Sequence, residues 1–344
     1  MTTISQIKPE IDFSPTVGSA SRSLVTVFAG GHEFAIDTEY ISGVYLLAKS
    51  QTGKDLMVAD TPEGELPVLS LAEVLADEVG LVVEGTDTER SLMVINYDGE
   101  TAALRVKSVS RPIELTQDDF YNLPRVAHAT DTNNLVTTIA MVNPENEDPN
   151  EAIRLVVDPL AIFGFRKASE SAALEPTSSR NETNNNPTAD QRTGQDQILA
   201  FSPEFVSRND LDYVFCLPLT GVAEVVSVTK AMQMPFKSAS FQGFVIWRNH
   251  PIPVINLGEA FGQGNMQGET GRRGHTRTRR LIVARASGGR YVGFYTQKQM
   301  HSMKVPAATP VELESLKNKP SLGAFKTEFG VMSVPNLSQI LDQS

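Results

Sequence analysis

Five histidines, one cysteine and a cluster of arginines are the side chains with most chemistry to offer in this 344-residue chain. His32, His128, His250, His275 and His301 are scattered, with no pair spaced to share one face beside a third ligand, so no metal site is expected. Cys216 stands in an apolar run, Val214 to Ala223, where a thiol acts as a small buried hydrophobe and not as a nucleophile. No Gly-x-Ser-x-Gly elbow and no protein-kinase landmark is present, so neither catalysis nor a cofactor is expected. Residues 262–280 carry the glycines of a phosphate loop, but no Gly-Lys-Ser/Thr follows and the segment enters a strand. Arg272, Arg273, Arg277, Arg279 and Arg280 of the same segment lack the aromatic residues on which nucleotide bases stack, so nucleic acid is not expected. An exposed, charged hairpin loop that meets an acidic protein surface suits them better. Trp247 followed by Arg248 is the one aromatic–arginine pair with the character of an interface anchor, against the alternative that Trp247 fills a core and Arg248 braces a turn.

Whatever these residues do, two folding units must position them. A chain of this length exceeds what one hydrophobic core usually serves, and 40% hydrophobic with 21% charged residues is ordinary for a globular protein. Residues 168–197 are almost wholly Ser, Thr, Asn, Gln, Pro, Gly and charge, and cannot bury enough apolar surface to offset the entropy of ordering them. The expected organisation is a flexible arm (1–21), a first domain (22–165), a disordered linker (166–197) and a second domain (198–344). Charge divides with them: 10 basic against 26 acidic residues over 1–165, and 16 against 10 over 198–344. An acidic unit tied to a basic one suits separate partners or a mutual contact. The amino terminus lacks a secretory pattern and no apolar run approaches the roughly 20 residues of a membrane span, so a cytoplasmic protein without membrane insertion is expected.

On either side of the linker the same parts recur in the same order. Pro67-Val68-Leu69-Ser70-Leu71-Ala72-Glu73-Val74-Leu75 matches Pro253-Val254-Ile255-Asn256-Leu257-Gly258-Glu259-Ala260-Phe261. Each begins with strand alternation and switches to helical spacing, with Ser70 and Asn256 placed to cap the helix. At an offset of 190, Arg90 to Ile95 aligns with Arg280 to Arg285, and Thr101 to Val109 with Tyr291 to Gln299. Leu104 and Val106 alternating with Arg105 and Lys107 predict a half-buried strand, whereas Tyr291 to Thr296 predict one buried on both faces. Each copy closes on an apolar strand and a short helix, Ile153 to Phe163 and Val331 to Leu341. Short, closely spaced strands predict a mainly all-β chain of small barrels.

The stretch Gln242 to Leu257, with Gly243, Val245, Trp247, Arg248, Asn249 and Pro253, resembles the CheW-like domain, in which glycine, a short apolar strand and arginine lead into a turn and then a Pro-Val strand. Tyr213 to Val226 resembles that domain's opening hairpin, with Val25 to Val44 as its counterpart around Gly30-Gly31. The resemblance spans nearly all of 22–165 and 198–344. It implies two tandem CheW-like domains, each a pair of small SH3-like β-barrels with short helices. It also implies a non-enzymatic adaptor that couples chemoreceptors to the regulatory domain of a CheA-type histidine kinase, with other CheW-like domains as further partners. An adaptor for a chemosensory-like pathway controlling surface motility or gene expression is the alternative, and an enzyme with a site between the domains is a more distant one. The family's glycine, arginine and Pro-Val positions fall on Gly243, Arg248, Pro253 and Val254. In the first copy only Pro67 and Val68 carry over, since Asp60-Thr61-Pro62-Glu63-Gly64 stands where the glycine and arginine would be.

Overall fold

The computed structural model describes residues 21–47, 58–79, 89–97, 100–127, 135–146, 148–162, 197–203, 214–229, 231–232, 234, 240–262, 278–304, 309–327 and 330–342. Most of the expected arm, the linker, and Arg272, Arg273 and Arg277 lie outside these residues, as do His128 and His275.

The amino-terminal half opens with β1 (Ser21–Ala29) and β2 (His32–Asp37), joined at Gly30-Gly31, whose φ angles of 58° and 90° favour glycine. Asp37 accepts a hydrogen bond from the Glu39 N–H and so caps a single 3-10 turn, Thr38–Tyr40, that leads into β3 (Ile41–Leu46). There follow β4 (Val58–Thr61), β5 (Gly64–Ser70), α1 (Leu71–Val79), β6 (Ser91–Tyr97) and β7 (Glu100–Val106). Then come β8 (Ser108–Val109), β9 (Ile113–Thr116), β10 (Phe120–Asn122), β11 (Val136–Met141), α2 (Pro149–Ala152), β12 (Ile153–Val157) and α3 (Pro159–Ile162). One sheet runs β3-β6-β7-β5-β4; the other runs β10-β11-β12-β2-β1, with β8 and β9 both on β1.

The carboxy-terminal half repeats this plan. Its strands are β13 (Gln197–Pro203), β14 (Val214–Pro218), β15 (Val222–Val228), β16 (Phe241–Trp247) and β17 (His250–Ile255). After α4 (Leu257–Ala260) come β18 (Arg279–Arg285), β19 (Tyr291–Lys304), β20 (Thr309–Val311), β21 (Ser321–Thr327), β22 (Gly330–Pro335) and α5 (Leu337–Leu341). The order β15-β18-β19-β17-β16 matches the first five-stranded sheet, and β19-β13-β14-β22-β21-β20 matches the second. Even the parallel pairs correspond: β5 with β7 and β17 with β19, β12 with β2 and β22 with β14. Among the described residues every strand pairs within its own half. Because β19 runs unbroken for 14 residues where the first half uses three strands, the two sheets of the second half join into one.

The expected helix caps form: Ser70 Oγ accepts from the Glu73 N–H at 3.3 Å, and Asn256 Oδ1 from the Gly258 N–H at 3.1 Å. Three expectations need correction. The second half opens with Gln197–Pro203, so Tyr213 to Val226 answers β2 and β3 and not the first hairpin, and ordered strand begins at Gln197, the last residue given to the linker. The offset of 190 holds for β7 but not for β6. Leu92 lies opposite Tyr45 and Arg105, as Leu281 lies opposite Val226 and Tyr295, an offset of 189. A one-residue slip would turn each side chain to the other face. Finally, Arg105 does not point to solvent. It is 5% exposed, its Nε 2.7 Å from Glu89 Oε2, while Ser70 donates to Glu89 Oε1 at 2.6 Å. Over residues 292–296 strand β19 is buried on both faces as expected, with Val292, Phe294, Tyr295 and Thr296 all buried, while its far end, with His301, Ser302 and Lys304, is exposed.

Candidate protein-interaction surface

Strands β16 and β17 form a hairpin closed by Arg248-Asn249, both with positive φ (50° and 61°) between the paired residues Trp247 and His250. Those are the angles of a two-residue hairpin turn whose twist matches the strands, a conformation asparagine tolerates well and arginine rarely adopts. The turn therefore holds Arg248 outward, with its side chain 68% exposed. Val245 and Trp247 face the other way. Both are buried, in a cluster with Ile252, Val254, Leu281 and Val283, so neither is available as a contact residue and the core alternative applies to Trp247. The Trp247 ring lies 5.0 Å from that of Tyr291, and the Arg248 guanidinium lies 4.7 Å above the indole. Glu224 on β15 ties these together: its Oε2 accepts from Trp247 Nε1 and from Arg248 Nη2, each at 3.0 Å.

Trp247 is the only tryptophan, which makes its emission a local probe. Replacing Glu224 by alanine should redden that emission as water replaces the carboxylate at the indole N–H, and should cost about 1–2 kcal/mol. Fluorescence spectra and a urea titration on the full chain check both; an unshifted spectrum would mean that Glu224 does not hold the ring.

Gly243 secures the base of the hairpin. Its φ is 111°, and a Cβ there would lie 1.9 Å from the Met232 carbonyl oxygen, because the Met232 N–H donates to the Phe244 carbonyl at 2.7 Å. Pro253 is half-buried opposite Phe244. In the first half the corresponding hairpin, β4–β5, keeps Pro67 exposed and Val68 buried, but its turn is Pro62-Glu63. There the acid has changed places. Tyr45 Oη, on β3, donates to Glu63 Oε1 at 3.1 Å, and burial, then this hydrogen bond, push the phenol up to about 12. Gly43 takes the position of Glu224, and a Cβ there would touch the Tyr45 ring. The two hairpins thus present opposite charges, Arg248 in one half and Glu63 in the other. Arg279 and Arg280, the described members of the basic group, begin β18, and the Arg279 guanidinium lies 5.1 Å from the Tyr295 ring centroid.

A contact absent from the sequence reading lies beside the hairpin. Tyr121 Oη of β10 is 3.2 Å from His250 Nδ1, with the rings edge to face. The single turn Arg125–Ala127 packs on β16 and α5, and α2 packs on β16. One apolar cluster is consequently continuous across the halves, including Val126, Ala127, Phe244, Ile340 and Leu341. No local pattern announces a pair of residues 129 positions apart.

For catalysis the described residues offer little. No group of three or more His, Cys, Asp or Glu among them is placed to hold a metal ion. Cys216 is fully buried, donating weakly to the Ser333 carbonyl at 3.6 Å, and burial pushes its thiol up to about 12, which keeps it protonated and unreactive.

Residues 208–344 match the family model of the CheW-like domain. Among solved structures, the chain is similar to the scaffolding protein TtCheW from Thermoanaerobacter tengcongensis, with 21% identity and a TM-score of 0.32, over 42% of this chain and 85% of that one. No curated protein matches.

Proposed function

We propose that this protein, whose residues 208–344 form a CheW-like domain, is a non-enzymatic adaptor of a chemosensory system, built as two CheW-like domains over 22–165 and 198–344. Its role is to position a CheA-type histidine kinase regulatory domain and chemoreceptors through surface contacts alone. The observation that carries this reading is the β16–β17 hairpin. It lies inside the matched region, with its glycine buried against Met232 and its arginine held outward by the turn. The first half shares the strand order but lacks the arginine, so docking of this type belongs to the second half. No helix among the described residues is long and apolar enough to cross a membrane.

Capture of the full chain by an immobilised CheA regulatory domain tests the proposal. The wild type should be retained, and Arg248→Glu should lose about tenfold or more in affinity, because it sets a second carboxylate beside Glu224 at the rim of the contact. Retention of neither protein, by the kinase domain or by a receptor tip, would defeat the reading.

A further inference from the structure

The hairpin that carries Arg248 is partly covered from within the chain. The single turn Arg125–Ala127 and helix α2 of the first half pack against β16, the same turn packs against α5, and Tyr121 of β10 meets His250 beside the hairpin turn. Val126 and Ala127 join Phe244, Ile340 and Leu341 in one apolar cluster. The rim of this contact is polar: Asp119 and Asp118 lie close enough to Tyr121 to help burial raise its phenol.

The first half shows the same part of the fold uncovered. Val58 pairs with Pro67 as Phe244 pairs with Pro253, yet Val58 is 51% exposed and Phe244 1%. A hairpin of this kind therefore folds with that position open to solvent, and the first half, packed on β16, completes the cover over Phe244.

The cover hides the apolar part of the hairpin. Contacts between proteins draw most of their energy from an apolar centre, while charges at the rim contribute little. Arg248 is exposed and already paired with Glu224, which is the character of a rim residue. Phe244 has the character of a centre and is inaccessible. No sheet ties the halves together: among the described residues every strand pairs within its own half, so parting them breaks no ladder. Domains of one chain that meet in this way are free to move relative to one another.

We propose that the first half is an internal lid on the docking hairpin of the second. With the halves together only Arg248 and its turn are presented, and firm docking of the kinase regulatory domain requires the halves to part. The lid rests on the adaptor reading and supplies the regulation of that same site. A partner that binds firmly only to the parted chain has its affinity reduced by the fraction parted, and the reduction falls on the association rate.

Binding kinetics of the full chain on an immobilised CheA regulatory domain test this, with small-angle X-ray scattering to report the separation of the halves. Val126→Asp sets a carboxylate in the shared apolar cluster. It should enlarge the particle and raise the association rate about tenfold or more, leaving the dissociation rate as in the wild type. Tyr121→Ala, at a half-buried position, is a milder way to part the halves and serves if Val126→Asp fails to fold. Adding Arg248→Glu to either variant should remove most of the gain, because the gain passes through the hairpin. Particles that stay compact in both variants, or an enlarged variant that binds no faster than a retained wild type, would overturn the lid and leave the adaptor role standing. A gain that survives Arg248→Glu would overturn it too. Failure of both the wild type and an enlarged variant to bind would overturn the adaptor reading and the lid with it.

Discussion

Arg105→Ala is expected to destabilise the first half by about 3–5 kcal/mol, a fall of roughly 1–3 M in its urea midpoint. Arg105 and Glu89 are nearly buried, with side chains 6% and 12% exposed, and the truncation leaves the Glu89 carboxylate in the core with only the Ser70 hydroxyl to stabilise it. The loss comes from that stranded charge and not from the attraction removed. Removing both partners, as Arg105→Met with Glu89→Leu, should therefore restore most of the stability. Far-UV circular dichroism in urea checks both variants. Since Trp247 reports only on the second half, its fluorescence midpoint shows whether the contact between halves transmits the damage. A single variant as stable as the wild type would mean that water reaches Glu89.

Gly243→Ala should be comparably severe, at about 4 kcal/mol. Part of this is backbone strain, about 1–3 kcal/mol for a side chain forced to a φ of 111°. The remainder is steric, because the new Cβ would overlap the Met232 carbonyl and the β16 backbone would have to part from it. Gly64→Ala separates the two causes. Its φ is 115°, but nothing lies within 4 Å of the added carbon, so it should show the strain alone. Equal losses in the two variants, measured by denaturant titration, would remove the steric argument. A larger loss at Gly243 should come with weaker kinase capture, because the same close approach anchors the hairpin that displays Arg248.

Most of the fold was legible because its signals are local. Alternation marks the strands, Gly30-Gly31 marks a turn, Ser70 and Asn256 mark helix starts, and together they revealed the duplication. The CheW-like pattern around Gly243 and Arg248 was legible for the same reason, since turn and strand chemistry are written in neighbouring residues. Arg105 was misread because a charged residue in an alternating strand is assigned to solvent unless its partner is known. Here the partner, Glu89, lies 16 positions away and becomes adjacent only through pairing of the strands. The alignment of β6 failed by one residue because the hairpin loops of the two halves differ in length, and only cross-strand pairing reveals which face each side chain takes. Composition and periodicity thus determined the β class and the two copies, and the family resemblance singled out the hairpin around Gly243 and Arg248. Tertiary structure alone decided that Trp247 belongs to the core, that Tyr121 meets His250, and that one half covers Phe244 while its counterpart Val58 stays open. Those outcomes depend on which distant surfaces meet, and no local spacing encodes that.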